Sequence, residues 1–150
     1  MTFLKAILSG FDTLDISYEE HYDPNGMELF KLHIHESFKP IMVFSAQNSD
    51  QALITISSDY SPPILESLNY MERIRLKFQL MKLGLKLVLH HKLGLDNNSV
   101  VFSIGIILNS KNFHPDAMKR GIEKLRESYN LVMNEAIAII EEYYVHEEYL

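Results

Sequence analysis

Residues 64–92 constrain the fold most, because their pattern predicts one helix with two apolar ridges and a narrow polar stripe. The first ridge recurs at three- and four-residue steps and consists of Met71, Ile74, Phe78, Met81, Leu85 and Val88. The second ridge lies beside it and consists of Leu76, Leu80, Leu83 and Leu87. A helix that is apolar over most of its circumference has to be covered on two sides. We therefore expect it at the centre of the fold or of a dimer.

The composition is that of an ordinary globular chain. The 150 residues, 47% hydrophobic and 23% charged, predict a single domain over 1–150. No cysteine is present, which excludes disulfides, thiolate zinc sites and cysteine nucleophiles. No run approaches the roughly 18 apolar residues of a membrane span. The apolar stretch at the start of the chain is too short for a signal peptide, and its charge pattern is wrong for one, so we expect a cytoplasmic protein.

Charge is distributed unevenly around a net value of −6. Residues 1–60 hold nine acids against three lysines, and six glutamates but no lysine or arginine follow Arg126. The central segment reverses this pattern, with six bases against Glu66 and Glu72. Its polar stripe carries the basic residues Arg75, Lys82 and Lys86. Such segregation favours attraction between this stripe and an acidic surface, in the same chain or in a partner.

The remaining patterns predict an α+β fold. A short N-terminal helix ending at Gly10 precedes four alternating segments joined by turns, which predict an antiparallel β-meander. The long central helix is expected to pack on this sheet, and a further strand, residues 100–108, brings the number to about five. A long C-terminal helix begins at His114-Pro115-Asp116. It would span roughly 45 Å if unbroken to Tyr144, so we expect it either to bend near Asn130 or Asn134 or to project to a partner.

No catalytic or cofactor motif is found. His33 and His35 flank Ile34, so they share one face of a strand and could bind a metal; solvated histidines are the more ordinary interpretation. His90 and His91 are expected to cap the end of the central helix. The serines lack a Gly-x-Ser-x-Gly setting, and no glycine-rich phosphate loop occurs. We therefore predict no enzyme activity, no cofactor and no resident metal.

Nucleic-acid binding is not expected either. The basic side chains that could contact DNA are those of the central segment. The apolar residues beside them predict that this helix is buried and does not insert into a groove of DNA. The chain is also acidic overall.

The order of elements resembles the fold shared by type III secretion chaperones and YbjN-like proteins of bacteria. The stretches that carry the resemblance are residues 93–102, Leu-Gly-Leu-Asp-Asn-Asn-Ser-Val-Val-Phe, then Phe113-His114-Pro115-Asp116 and the helix beginning near Ala117. The resemblance covers most of the chain but includes no diagnostic motif. It implies a small acidic protein that binds another polypeptide, often as a dimer, without cofactor or catalysis.

These observations predict a non-enzymatic protein-binding module, chaperone-like or regulatory, that forms a homodimer. The residues expected at an interface are Phe78, Leu83, Leu87, Tyr143 and Tyr144. One alternative is an acidic immunity or inhibitor protein that neutralises a cationic partner. Another is a metal- or small-molecule-binding protein that uses His33 and His35.

Overall fold

The computed structural model describes residues 3–22, 27–33, 41–46, 50–87, 89–111 and 113–148. Within these residues the chain forms four helices and six strands, which follow one another as α1 Phe3–Thr13, β1 Ser17–Tyr22, β2 Met27–His33, β3 Ile41–Ala46, β4 Gln51–Tyr60, α2 Ile64–Ser67, α3 Tyr70–Gly84, β5 His90–Asp96, β6 Ser99–Asn109 and α4 Pro115–Glu148. The predicted α+β class is confirmed.

The strands form one sheet with the order β1-β2-β3-β4-β6-β5. Strands β1 to β4 pair antiparallel in sequence order, with Tyr18 opposite Leu32, Phe30 opposite Val43, and Val43 in turn opposite Ile54. The predicted meander is therefore confirmed. Among the described residues the sheet has six strands instead of about five, because β5 begins in residues that the sequence pattern assigned to the end of the central helix.

The prediction of one helix over residues 64–92 is wrong at both ends. Leu68 is extended, with ψ of 133°, and separates α2 from α3. Asn69 caps α3 with a capping box: its side chain accepts a hydrogen bond from the Glu72 N–H, and the Glu72 carboxylate accepts one from the Asn69 N–H. Helix α3 ends at the buried Gly84, where an added Cβ would lie 3.3 Å from His91 Nε2.

The predicted capping role of His90 and His91 is consequently wrong, since both residues lie at the start of strand β5. Asn97 and Asn98 form the turn that joins β5 to β6. Asn97 has a φ of 53°, a left-handed conformation that asparagine tolerates better than most residues.

Replacement of the α3 cap should cost a measurable part of the stability. We expect Asn69→Ala to lower the free energy of unfolding by about 1 kcal/mol, because the Glu72 N–H loses its acceptor. Asn134→Ala is the matched control: Asn134 is exposed in the interior of α4, where alanine favours the helix. Urea denaturation of both variants measures the difference. Equal losses would contradict a capping function for Asn69.

The chain divides into two compact units, and β4, β6 and α4 contribute residues to both. The first unit comprises Met1–Ser57 and Gly105–Arg126. Its buried side chains include Ile7, Phe11, Ile41, Val43, Ile54, Ile56, Met118, Ile122 and Leu125. Helix α1 does not end at Gly10 as predicted but continues to Thr13. Gly10 instead permits close packing, because an added Cβ would lie 3.0 Å from Met118 Cε.

The second unit comprises Ser58–Ile104 and Glu127–Leu150. Its core takes one side of β6, where Val100, Phe102 and Ile104 are buried as their alternation predicts. The Phe102 ring stacks on Tyr129 of α4, with ring centroids 5.4 Å apart. Helix α3 packs against β5. The long C-terminal helix is confirmed; its 34 residues run through Asn130 and Asn134 without interruption. No helix among the described residues is long and apolar enough to cross a membrane.

Candidate functional site

The most distinctive surface of the second unit is an apolar ridge on α3 that the unit leaves uncovered. Its exposed members are Met71, Phe78, Met81 and Leu85, with exposed fractions of 70%, 62%, 54% and 80%. Ile74 lies between them and is half-buried, and Tyr70 is exposed beside them. These six residues are called the exposed ridge below. Five of them belong to the first of the two ridges predicted from the sequence; Tyr70 was not part of that prediction, and Val88, its sixth member, lies outside the described residues.

The opposite side of α3 is buried in its unit. Leu76, Leu80 and Leu83, from the second predicted ridge, have exposed fractions of 0%, 0% and 4%. On one side of this inward face, Gly84 lies against His91 of β5. On the other side, the Tyr143 hydroxyl of α4 donates a hydrogen bond to Gln79 Oε1 at 2.7 Å. The helix is therefore covered on one side by its own unit, and the exposed ridge points away from that core.

Positive charge borders the exposed ridge on both sides. At 100° per residue, Arg75 and Lys82 lie along one flank and Lys77 along the other. All residues of α3 are described, and the exposed ones are either apolar or basic. The acidic residue of α3, Glu72, is half-buried and used in the capping box. Lys86, just after the helix, forms an ion pair of 3.8 Å with Glu135 of α4.

The residues predicted at an interface do not all reach the surface. Phe78 lies at the middle of the exposed ridge, whereas Leu83 belongs to the core of its unit and Leu87 is half-buried. Tyr143 is 6% exposed. Tyr144 is 37% exposed, and its hydroxyl accepts a hydrogen bond of 3.4 Å from the Ile64 N–H. Leu83 and Tyr143 thus contribute to packing within the unit.

Burial raises the pKa of two tyrosines of the second unit, Tyr143 of α4 and Tyr60 of β4. It raises the pKa of Tyr143 above the ordinary value, although the neighbouring Arg75 opposes this effect. Burial also raises the pKa of Tyr60, with smaller contributions from Tyr144 and Glu141. Because tyrosine is already protonated at neutral pH, the upward shift leaves the Tyr143 hydroxyl as the donor to Gln79.

Arg73 holds the surroundings of α3 together. Its guanidinium donates to the carbonyl of Leu65 in α2 at 2.6 Å and to the carbonyl of Asn97 in the β5–β6 turn at 2.8 Å. It also donates to the side-chain oxygen of Asn98. The planar guanidinium therefore links α3 to both α2 and the β5–β6 turn. These hydrogen bonds position α3 and its exposed ridge on the unit.

The other candidate sites receive less support from the structure. His35 lies outside the described residues, and for His33 the structure gives only the backbone position in β2, opposite Ser17. Among the described residues, no group of three or more histidines, aspartates or glutamates is arranged to hold a metal. In the first unit, a partly open pocket of about 140 Å³ lies beside Phe113, His114 and Met118. It is smaller than the roughly 300–1,000 Å³ of typical ligand sites.

Comparison with known proteins shows the fold and does not identify a family. The chain is similar to an uncharacterized protein from Methanothermobacter thermautotrophicus, whose crystal structure superposes with a TM-score of 0.75. The match covers 91% of this chain and 97% of that chain, at 13% sequence identity. No protein-family model matches the chain, and no curated protein matches it. The resemblance to YbjN-like proteins and type III secretion chaperones therefore stays a prediction.

Proposed function

We propose that the protein is a non-enzymatic protein-binding module, chaperone-like or regulatory, that docks another polypeptide on the exposed ridge of α3. The observation that carries the proposal is the exposure of Met71, Phe78, Met81 and Leu85 on one helix face. Tyr70 and Phe78 alone present on the order of 250 Å² to solvent, since an aromatic side chain has about 150–250 Å². Together with Met71, Met81 and Leu85, they reach the size of the largest apolar patch on a typical monomer, about 300–600 Å², which is often a functional surface.

The chemistry of the ridge suits the binding of a polypeptide segment. Burial of a side chain such as Phe78 stabilises a complex by about 1.5–3 kcal/mol. Aromatic residues at the centre of a patch often dominate the affinity. Met71 and Met81 flank Phe78, and unbranched methionines adapt to partners of different shape. Apolar helix faces and grooves of this kind bind apolar segments of other proteins. Such binding requires no catalytic group.

Phe78→Asp tests the proposal directly. Phe78 is exposed, so the substitution leaves the core intact while placing a charge at the centre of the docking surface. In affinity capture from cells of the source organism, we expect at least one protein to be retained by the wild type and lost with Phe78→Asp. Asn130→Asp, at an exposed position of α4, is the matched control and should retain it. Identical captured proteins for all three baits would contradict docking on the ridge.

A second copy of the chain is one partner that this proposal admits, as the predicted homodimer requires. Sedimentation equilibrium at tens of micromolar gives the mass of the wild type and of Phe78→Asp. A dimer that Phe78→Asp dissociates would support self-association through the ridge. A monomeric wild type would remove the homodimer and leave the binding of other polypeptides to the capture experiment. A cytoplasmic location is part of the proposal.

The alternative of an acidic inhibitor rests on the acids of the chain, nine of which lie in residues 1–60. Most of these nine side chains lie outside the described part of the chain: Glu19, Glu20, Asp23, Glu28 and Glu36. That alternative stays a prediction. The exposed face of α3 is suited to an acidic partner and not to a cationic one, because its charged residues are all basic.

A further inference from the structure

We propose that the segment received by the exposed ridge is an amphipathic α-helix of a partner polypeptide with acidic residues on both sides of its apolar face. This inference rests on the proposed function and adds the chemical nature of the ligand. It follows from two properties of α3 that are independent of each other: the spacing of the ridge and the charge of its borders.

The spacing of the ridge is that of a helix-pairing seam. Its positions 71, 74, 78, 81 and 85 alternate in steps of three and four residues over two heptads. This is the a/d repeat through which two helices pack side by side, with the side chains of one fitting between those of the other. A helix therefore meets all five positions at once. An extended strand, with side chains alternating every second residue, does not match this repeat.

The borders of the seam specify the charge of the incoming helix. In the heptad that begins at Met71, Arg75 and Lys82 occupy the e positions and Lys77 occupies a g position. These positions face the flanking residues of a paired helix. Opposite charges there favour pairing, and like charges oppose it. A ligand with glutamates or aspartates at these flanks is therefore preferred.

The same charges disfavour α3 of a second copy as the occupant. In a parallel pair Lys77 would face Lys82, and in an antiparallel pair Arg75 would face Lys82. Either arrangement brings positively charged side chains together. Of the helices available to the ridge, one with acidic borders is favoured over a copy of α3 itself.

An anionic membrane is the other surface that apolar and basic residues attract. The charge of the rest of the molecule argues against it. A helix is about 10–12 Å wide and meets only the exposed ridge. A membrane presents an extended negative plane to a chain of net charge −6, and exposed glutamates of α4 such as Glu127, Glu141 and Glu142 belong to the same unit.

Two synthetic peptides test the proposal. Both are fluorescein-labelled helices of three heptads with leucine at a and d; one carries glutamate at every e and g position and the other carries lysine. Fluorescence anisotropy with the full chain gives the affinity for each. We expect the acidic peptide to bind at least tenfold more tightly than the basic one, and the preference to weaken as salt is raised.

A charge-reversal variant shows whether the borders of the ridge set the preference. The triple substitution Arg75→Glu, Lys77→Glu, Lys82→Glu should reverse the order, so that the basic peptide binds more tightly. The control carries Lys119→Glu, Arg120→Glu and Lys124→Glu, which change the net charge equally at exposed positions of the first unit. It should keep the preference for the acidic peptide. Circular dichroism checks that both variants remain folded.

The remaining outcomes overturn the inference in distinguishable ways. Equal affinity for both peptides, abolished by Phe78→Asp, would refute the acidic ligand while leaving the proposed function intact. Binding to phosphatidylserine vesicles without binding to either peptide would assign the ridge to a membrane. Self-association that excludes both peptides would assign it to a second copy. Failure to bind any of these probes would refute the inference, and the capture experiment with Phe78→Asp would still decide the proposed function.

Discussion

Phe102→Ala should lower the free energy of unfolding by about 3–5 kcal/mol, a large part of the roughly 5–15 kcal/mol that stabilises a typical domain. Phe102 has an exposed fraction of 0% and stacks on Tyr129 with the two ring planes 16° apart. Its removal leaves a cavity between β6 and α4 that the surrounding side chains cannot fill without strain. Urea denaturation monitored by circular dichroism measures the loss, provided that the m-value stays constant.

Phe78→Ala is the matched control for this substitution. The chemical change is identical, but Phe78 is 62% exposed on the ridge of α3. We expect its effect on the free energy of unfolding to stay within about 0.5 kcal/mol. A loss at Phe78 as large as that at Phe102 would show that the ridge is covered within the folded chain. The exposed surface on which the proposed function depends would then not exist.

Arg73→Met should cost about 2–3 kcal/mol of unfolding free energy, because charge-assisted hydrogen bonds are lost. The methionine keeps much of the apolar stem but removes the bonds to Leu65, Asn97 and Asn98. The Leu65 carbonyl, which is part-buried, is left without this donor. Thermal and urea unfolding give the size of the effect.

Two further variants separate the effect of the hydrogen-bonding geometry of the Arg73 guanidinium from the effect of its charge. Arg73→Lys retains the charge, yet an ammonium cannot reach three acceptors in the planar geometry of a guanidinium, so it should recover less than half of the loss. Lys77→Met replaces an exposed base on the same helix and should change stability by less than about 0.5 kcal/mol. Full recovery by lysine would mean that the charge alone matters.

The elements with a simple period were predictable from the sequence. The alternation of Val100, Phe102 and Ile104 predicted a strand, and the stripe from Met118 onward predicted the C-terminal helix. Both follow from local pattern, because a strand or helix that buries one face repeats its apolar residues at a fixed interval. The central helix was harder. Its two ridges continue past Gly84 in the sequence, although the helix does not.

A local signal for the beginning of that helix was present. Asn69 followed by Glu72 is a capping-box pattern, and it marks the N-terminus of α3 where the apolar periodicity suggested continuity back to Ile64. The exposure of the ridge had no such signal. The ridge with Phe78 and the ridge with Leu80 are both apolar, and β5 and the end of α4 decide which of them is buried. Contacts between distant parts of the chain carry that information.

The bonds of Arg73 also bear on how this fold can change during evolution. Two of its three acceptors are main-chain carbonyls, which every amino acid supplies. Leu65 and Asn97 can therefore be exchanged for other residues, within the limits of burial and backbone conformation, without loss of an acceptor. An anchor of this kind leaves no pair of co-varying side chains at those two sites. Sequences can diverge around it while one arginine of α3 continues to hold helix α2 and the β5–β6 turn in place.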